Sequence, residues 1–431
     1  MNVWAPADGS SGLPVLVHIH GGGFVGGSGN GDNSLLSSTG HEVVVSLNYR
    51  LGIFGFLADR ALGPNSGDYG LQDQQAALRW VQSNIARFGG DASNVTIYGE
   101  SAGGSSVCDQ IASPTAKGLF ERGISVSGEY NTLLGSPNSL EQQDCKSQIP
   151  TKAQAFAAGA NFSAAVGCGA GTADVVSCLQ NISATTAQTV AGGGVVGGFF
   201  PVGYQDGGQG TVGPTINGTT LTMTLRQALA SGNVNHVDVI AGTDRDENLA
   251  GSATTAAQYA SLVDTQYGSF ASQVLALYPL SHFDNPGLAW RTVAADSDTV
   301  CPAIVTAQDL ASRMPTREYE IDDNDLPPYR AAGPNIVAAG ASHVGAWYLT
   351  PQATPLDANQ QVLQDQELAF VTAFARNGNP NTTGVPGWPK LNNTGEVMSL
   401  QPAGDSELIT TAQLAAQHHC AFWDRVARHA P

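Results

Sequence analysis

Apolar runs, and the residues that stop them, divide the chain into pieces that can be read directly. Leu13-Pro14-Val15-Leu16-Val17-His18-Ile19-His20 is nearly continuously apolar and ends in Gly21-Gly22-Gly23-Phe24, which reads as a strand running into a glycine loop. Asn94-Val95-Thr96-Ile97-Tyr98 reads as a second strand that breaks at Gly99, with small residues after it that can open a helix. Ile124-Ser125-Val126-Ser127 reads as a strand end. Asp238-Val239-Ile240-Ala241 breaks at Gly242 into the acidic stretch Thr243-Asp244-Arg245-Asp246-Glu247-Asn248. Helical stretches are predicted near 255–280 and 358–377. The run Ala191-Gly192-Gly193-Gly194-Val195-Val196-Gly197-Gly198 reads as a flexible hinge carrying Phe199 and Phe200. Those two rings either line a substrate pocket or anchor the loop in the core, where most buried aromatics are packing.

Chemistry enters at the second break. Gly99-Glu100-Ser101-Ala102-Gly103 places a serine between a strand and a helix start with glycine on both sides, the construction of a nucleophile elbow. Gly99 and Gly103 let the two backbones crowd together where a Cβ would clash. Alone, Gly-x-Ser-x-Gly is a weak signal in a glycine-rich chain. The Gly21-Gly22-Gly23 loop strengthens it, because its backbone N–H groups can face the negative charge that builds on a carbonyl oxygen during acyl transfer.

Further stretches carry a resemblance. Leu47-Asn48-Tyr49-Arg50-Leu51-Gly52-Ile53-Phe54-Gly55-Phe56-Leu57, Asp68-Tyr69-Gly70-Leu71-Gln72-Asp73-Gln74, Ala77-Leu78-Arg79-Trp80-Val81-Gln82 and Phe88-Gly89-Gly90-Asp91 resemble the type-B carboxylesterase (cholinesterase- and lipase-like) family. The resemblance is close to continuous over residues 2–128 and patchier after that. It implies an α/β-hydrolase fold, a mostly parallel twisted sheet flanked by helices, as one domain over residues 1–431 with insertions covering the active site. It also implies a Ser-Glu-His triad in that chain order, with Ser101 as nucleophile, Glu247 as the orienting acid and His343, in Gly340-Ala341-Ser342-His343, as the base. Asp244 and Asp246 are neighbouring acids of ordinary surface character. The oxyanion donors are then the N–H groups of Gly22, Gly23 and Ala102. Glu100 matches a position that shapes the pocket electrostatically. Ser127 matches a hydroxyl near the acid and base, or is a plain strand-end serine. Leu134 stands where cholinesterases carry a bulky acyl-pocket aromatic. Arg50 and Asp73 resemble a buried ion pair of the family. The reaction so implied needs no metal or organic cofactor.

The six cysteines allow fifteen pairings. The resemblance implies Cys168–Cys178 and Cys301–Cys420, leaving Cys108–Cys145, and disulfides imply an oxidising, secreted setting. Six Asn-x-Ser/Thr sequences, at Asn94, Asn161, Asn181, Asn217, Asn381 and Asn392, are permissive for a glycoprotein. No signal peptide is recognisable before Met1-Asn2-Val3-Trp4, which resembles a strand well inside the family's chain, and the alternative to a secreted setting is a cytoplasmic one if Met1 is the true start. Without the family's preceding loop, neither a lipase lid nor a choline-binding aromatic is expected. Short to medium acyl esters of simple alcohols are then the expected substrates.

Composition narrows the partners. At 431 residues and 42% hydrophobic the chain can bury a large core. With 36 acidic against 18 basic side chains, a net charge of −18 argues against nucleic acid and against anionic membranes. No apolar run nears the roughly 18 residues of a membrane span. A small ester is the expected partner, and oligomeric state stays open. A lipase acting on longer acyl esters is the alternative, as is a catalytically silent relative of adhesion type.

Overall fold

The structure, a computed structural model, describes residues 1–129, 149–191, 194–196, 200–202, 213–247, 253–323, 349–350 and 355–429. The described chain forms two compact units. One holds Met1–Gly31, His41–Gly128 and the described part of 137–237; the other holds Asp32–Gly40, Glu129 and the described residues from Asp238 onward.

The first unit is built on five strands: β1 (Asn2–Trp4), β2 (Leu13–Ile19), β3 (Val43–Leu47), β4 (Gly90–Glu100) and β5 (Arg122–Val126). They lie in the order β1-β3-β2-β4-β5, with β1 antiparallel to β3 and the other pairs parallel. Helices Tyr69–Asn84 and Ala102–Ala112 carry the chain from β3 to β4 and from β4 to β5. Val15, Leu16, Val17, Ile19, Val43, Val44, Val45, Val95 and Ile97 are all fully buried. Strands covered on both faces have no polar side to show, so their sequences read as unbroken apolar runs. The β2–β4 register slips between Leu13 and Val15, beside Pro14, which has no N–H to give the ladder. β4 begins at Gly90, earlier than the apolar run that starts at Val95, because Gly90 already pairs with Leu13 while its next residues are polar and partly exposed. The glycine-rich stretch expected to be a hinge contains β6 (Gly194–Val196) paired antiparallel with β7 (Phe200–Val202).

In the second unit β8 (Asp238–Asp244), β9 (Thr316–Ile321) and β10 (Glu396–Leu400) are parallel, and β11 (Glu407–Thr410) turns back along β10. The stretch near 255–280 is two helices, Ala256–Tyr267 and Ala271–Leu277, separated by the turn Gly268–Phe270. Ala358–Asn377 is one helix. The Asp357 side chain caps it by accepting from the Asn359 and Gln360 N–H groups, and it stops at Gly378 with φ 77°. Tyr259, Val263, Tyr267, Trp290, Val293, Ile304, Phe422 and Trp423 form a buried cluster here. Cys301–Cys420 closes beside it, and Cys168–Cys178 closes in the first unit, the two pairings that the resemblance implied. Cys108 is buried, and its expected partner Cys145 lies outside the described residues. Parallel strands joined through helices in both units are the layers of an α/β fold.

Candidate active site

Ser101 follows the last residue of β4 and precedes the first turn of helix Ala102–Ala112. Its backbone sits at φ 56°, ψ −124°, a region that costs a non-glycine residue about 1–3 kcal/mol and is held only where the surroundings over-determine it. Here they do. The Ser101 N–H donates to Val126 O at 2.9 Å, and Ser105 N–H donates back to Ser101 O at 2.8 Å. A Cβ on Gly99 would meet the Gly103 backbone and Ile19 O at 2.5 Å, and one on Gly103 would run into the Ile19 carbonyl. Glycine at both positions therefore lets strand and helix approach, as the motif requires.

The glycine loop emerges next to this turn because β2 and β4 are parallel neighbours, with Ile19 opposite Gly99. Both connections leave from the carboxyl ends of their strands, where α/β sheets place ligands. Gly22, Gly23 and Phe24 take φ of 108°, 62° and 59°. A Cβ on Gly21 would lie 2.5 Å from Glu100 O, 2.8 Å from Glu100 Oε2 and 3.1 Å from Ser101 Cβ, so the loop backbone rests directly on the elbow. The N–H groups of Gly22, Gly23 and Ala102 have no hydrogen-bond acceptor among the described residues.

Several residues that motif reading passed over hold this loop. Tyr49 Oη donates to His20 O at 2.8 Å, and its ring stacks on the His20 imidazole at 4.5 Å. Gly52 N–H donates to Phe24 O at 2.7 Å, and Phe24 meets Phe56 edge-on at 5.3 Å. Burial, and then the charge of Glu100, push the Tyr49 phenol up, so it stays a donor. His20 is pulled down by burial; its Nδ1 lies 2.8 Å from Gly21 O, an acceptor only, so that nitrogen carries the proton. His18, stacked on Tyr98, is pushed down to about 4 by burial and by His20. Both histidines of the loop strand thus favour the neutral form. In the sequence Tyr49 and Gly52 stand only as part of the stretch that carries the family resemblance, with no local sign of what they hold.

The other expected residues fall as follows. Ser127 ends β5 at φ 45°, fully buried, with Oγ lacking a partner among the described residues. It sits where Gly104 and Gly128 pack backbone to backbone; a Cβ on Gly104 would lie 2.9 Å from Gly128 Cα. Arg50 does bind Asp73, through Nε to Oδ2 at 2.7 Å and Nη2 to Oδ1 at 2.8 Å. The pair is not buried, however: the Arg50 side chain is 52% exposed, because it reaches its partner along the outside of helix Tyr69–Asn84.

In the second unit Glu247 is fully buried just past β8. Thr243 Oγ1 donates to its Oε2 at 2.9 Å, and Thr299 Oγ1 donates to its backbone carbonyl at 3.0 Å. Asp246 is committed elsewhere, to Arg245 at 2.8 and 2.9 Å and to Thr292 Oγ1 at 2.9 Å. Asp244 is fully buried, so this loop is not the solvated acidic surface its sequence suggests. His343, Leu134 and Phe199 lie outside the described residues. Phe200 is placed as the first residue of β7.

A serine forced to positive φ between a parallel strand and a helix, with a glycine loop from the adjacent strand against it, belongs to the serine hydrolases of the α/β-hydrolase class. Comparison with known proteins narrows the class. The Carboxylesterase family matches residues 1–284. Para-nitrobenzyl esterase of Bacillus subtilis (strain 168) is 32% identical over 409 residues, covering 90% of this chain and 76% of that protein. A pyrethroid hydrolase of Mus musculus is 30% identical over 94% of this chain and 72% of its own length. Fumonisin B1 esterase of Sphingopyxis macrogoltabida is 30% identical over 93% and 72%. The chain belongs to the carboxylesterase family, and it is a carboxylic ester hydrolase with the α/β-hydrolase fold. Its substrates are small-molecule esters. Among the described residues no helix is long and apolar enough to cross a membrane.

Proposed function

We propose that Ser101 attacks the ester carbonyl while His343 takes its proton, and that Glu247 fixes the imidazole tautomer and stabilises the imidazolium. The N–H groups of Gly22, Gly23 and Ala102 hold the tetrahedral oxyanion. The alcohol leaves with the proton from His343. Water activated by the same histidine then releases the acid from the acyl-serine. Glu100 contributes negative potential beside the nucleophile, and Ser127 offers a buried hydroxyl. The observation that carries this reading is the contact of the Gly21 backbone with Glu100 and Ser101, which sets unpaired N–H donors next to a strained serine. The substrates are esters with a compact acyl group and an uncharged alcohol, of the size of a p-nitrobenzyl or p-nitrophenyl ester. The two disulfides and the sequons support work in an oxidising, extracellular setting.

Ser101→Ala tests the assignment. Turnover of p-nitrophenyl acetate and butyrate is expected to fall by about 10⁶, with the melting temperature essentially unchanged, because alanine keeps the same Cβ in the same strained backbone. A variant that keeps near-full turnover would remove Ser101 from the mechanism. Activity is also expected to fall at acidic pH, through about 6.5 for an unperturbed histidine, because a protonated imidazole cannot accept the serine proton. A flat acid limb would count against a histidine base.

A further inference from the structure

We propose that the chain carries N-linked glycans at Asn161 and Asn181 and stays bare at Asn217. This rests on the reading above that the protein folds in an oxidising secretory setting. The six sequons are alike in sequence and differ sharply in surroundings. Asn217 is 1% exposed. Its Nδ2 donates to Asn65 O and Gly67 O at 3.3 and 3.4 Å, and its Oδ1 accepts from the Thr219 and Thr220 N–H groups at 2.9 and 2.8 Å. A sugar on that nitrogen would replace a buried donor and need a path through packed protein, so a chain glycosylated there cannot reach this fold and the folded enzyme is bare at Asn217.

Asn94 lies inside β4, with Oδ1 accepting from Arg122. Asn381 is folded onto Trp388, accepting from its N–H and donating to its carbonyl at 3.2 Å, and Asn392 donates to Met314 O at 3.3 Å. Asn161 differs. It is exposed on the helix Lys152–Ala165, and its carboxamide has no partner among the described residues. Asn181 is exposed at the end of the helix Val175–Gln180 and uses one N–H locally, donating to Ser177 O at 2.7 Å. The amide keeps its second N–H for the sugar bond. The two asparagines flank the Cys168–Cys178 closure in sequence.

In the transfer, Asn Nδ2 attacks the anomeric carbon of an oligosaccharide carried on a lipid diphosphate. A C–N bond forms, the C–O bond to phosphate breaks, the lipid diphosphate leaves, and the amide proton passes to a base of the transferase. The structure also orders this event in time. Ser163, the hydroxyl residue of the first sequon, is 3% exposed and donates to Asp59 Oδ2 at 2.7 Å. The folded helix hides the hydroxyl that a transferase must read, so Asn161 is modified before that helix forms.

The test is secretion of the full chain behind a cleavable leader from yeast or insect cells. Enzymatic glycan release in heavy-oxygen water, followed by peptide mass mapping, converts each occupied Asn to a labelled Asp. Label is expected at Asn161 and Asn181 and not at Asn217. Asn161→Gln and Asn181→Gln should each lower the intact mass by one glycan while ester hydrolysis persists. Unlabelled Asn161 or Asn181, or label at Asn217 in active enzyme, would overturn the assignment. Because the leader imposes the compartment, a protein that is labelled in this host but bare when isolated from its natural source would overturn the secretory reading and not the choice of sites.

Discussion

The apolar runs of β2 and β4 in the first unit and the strand β9 of the second are buried alike and made of opposite materials. β2 and β4 bring Val15, Leu16, Val17, Ile19, Val95 and Ile97 to full burial, with nothing to neutralise. β9 reads Thr316-Arg317-Glu318-Tyr319-Glu320-Ile321, and all six residues are buried. Each of its charges needs an answer from elsewhere, because an uncompensated buried charge is far more expensive than a buried methyl group. Arg317 donates to Trp388 O at 3.2 Å and to Gly378 O at 3.1 Å, where it also meets the carboxyl end of the helix Ala358–Asn377. Glu320 Oε1 lies 2.6 Å from His418 Nε2, out of line for a hydrogen bond but close enough to pair. His418 Nδ1 reaches Asp296 Oδ1 at 2.6 Å, and Tyr278 Oη donates to Asp296 Oδ2, also at 2.6 Å. Burial, and then the charges of Glu320 and Glu129, hold the Glu318 carboxyl well above its ordinary range, which favours its neutral form. One region is stabilised by removal of apolar surface from water, the other by a small set of matched charges.

That contrast can be broken at either end. Gly103→Ala strikes the apolar region where backbones touch: the new Cβ drives into the Ile19 carbonyl, displacing the elbow. A shift near 1 Å is expected to lower kcat/KM by about 100-fold or more, read with a p-nitrophenyl ester; unchanged turnover would show that the elbow has slack. His418→Ala leaves the Asp296 and Glu320 carboxylates buried without their cation and should cost about 3–5 kcal/mol in urea unfolding. A loss under about 1 kcal/mol would mean that the cluster is not energetically matched.

The pH dependence separates the two regions further. Burial opposes the His418 charge, but Asp296 and Glu320 more than offset it and raise its pKa well above 6.5. A raised folded-state pKa means that the stabilisation is complete below the unfolded value and fades as pH rises through the folded one. The gap between wild type and His418→Ala should therefore narrow in alkaline solution. Ile97→Val, one methyl group lost from a fully buried site, should cost about 0.5–1.5 kcal/mol, with a loss that is the same at neutral and alkaline pH. The smallest effect is expected at Arg50→Lys. There the fork is lost but half the side chain is already in water, so a change under about 1 kcal/mol that shrinks with added salt is expected.

The sequence by itself determined what depends on near neighbours. The buried parallel strands were visible because β2, apart from His18, and β3 are made of apolar or small residues, and the elbow because Gly99 and Gly103 stand four residues apart around Ser101. The extent of β4 was less visible, since its first residues are polar and partly exposed. Only the tertiary structure decided which charges meet. Asp296 and His418 are 122 residues apart in sequence, and no local pattern in Thr316–Ile321 distinguishes a strand wetted on one face from one buried on both. It likewise decided that Arg50 and Asp73 pair at the surface, and that Thr243 holds Glu247 while Arg245 and Thr292 hold Asp246. The glycine spacing of the elbow is written in order along the chain, although part of what it makes room for, the Ile19 carbonyl, comes from the neighbouring strand. The neutralisation of a buried charge depends on what the folded chain brings to it from any distance.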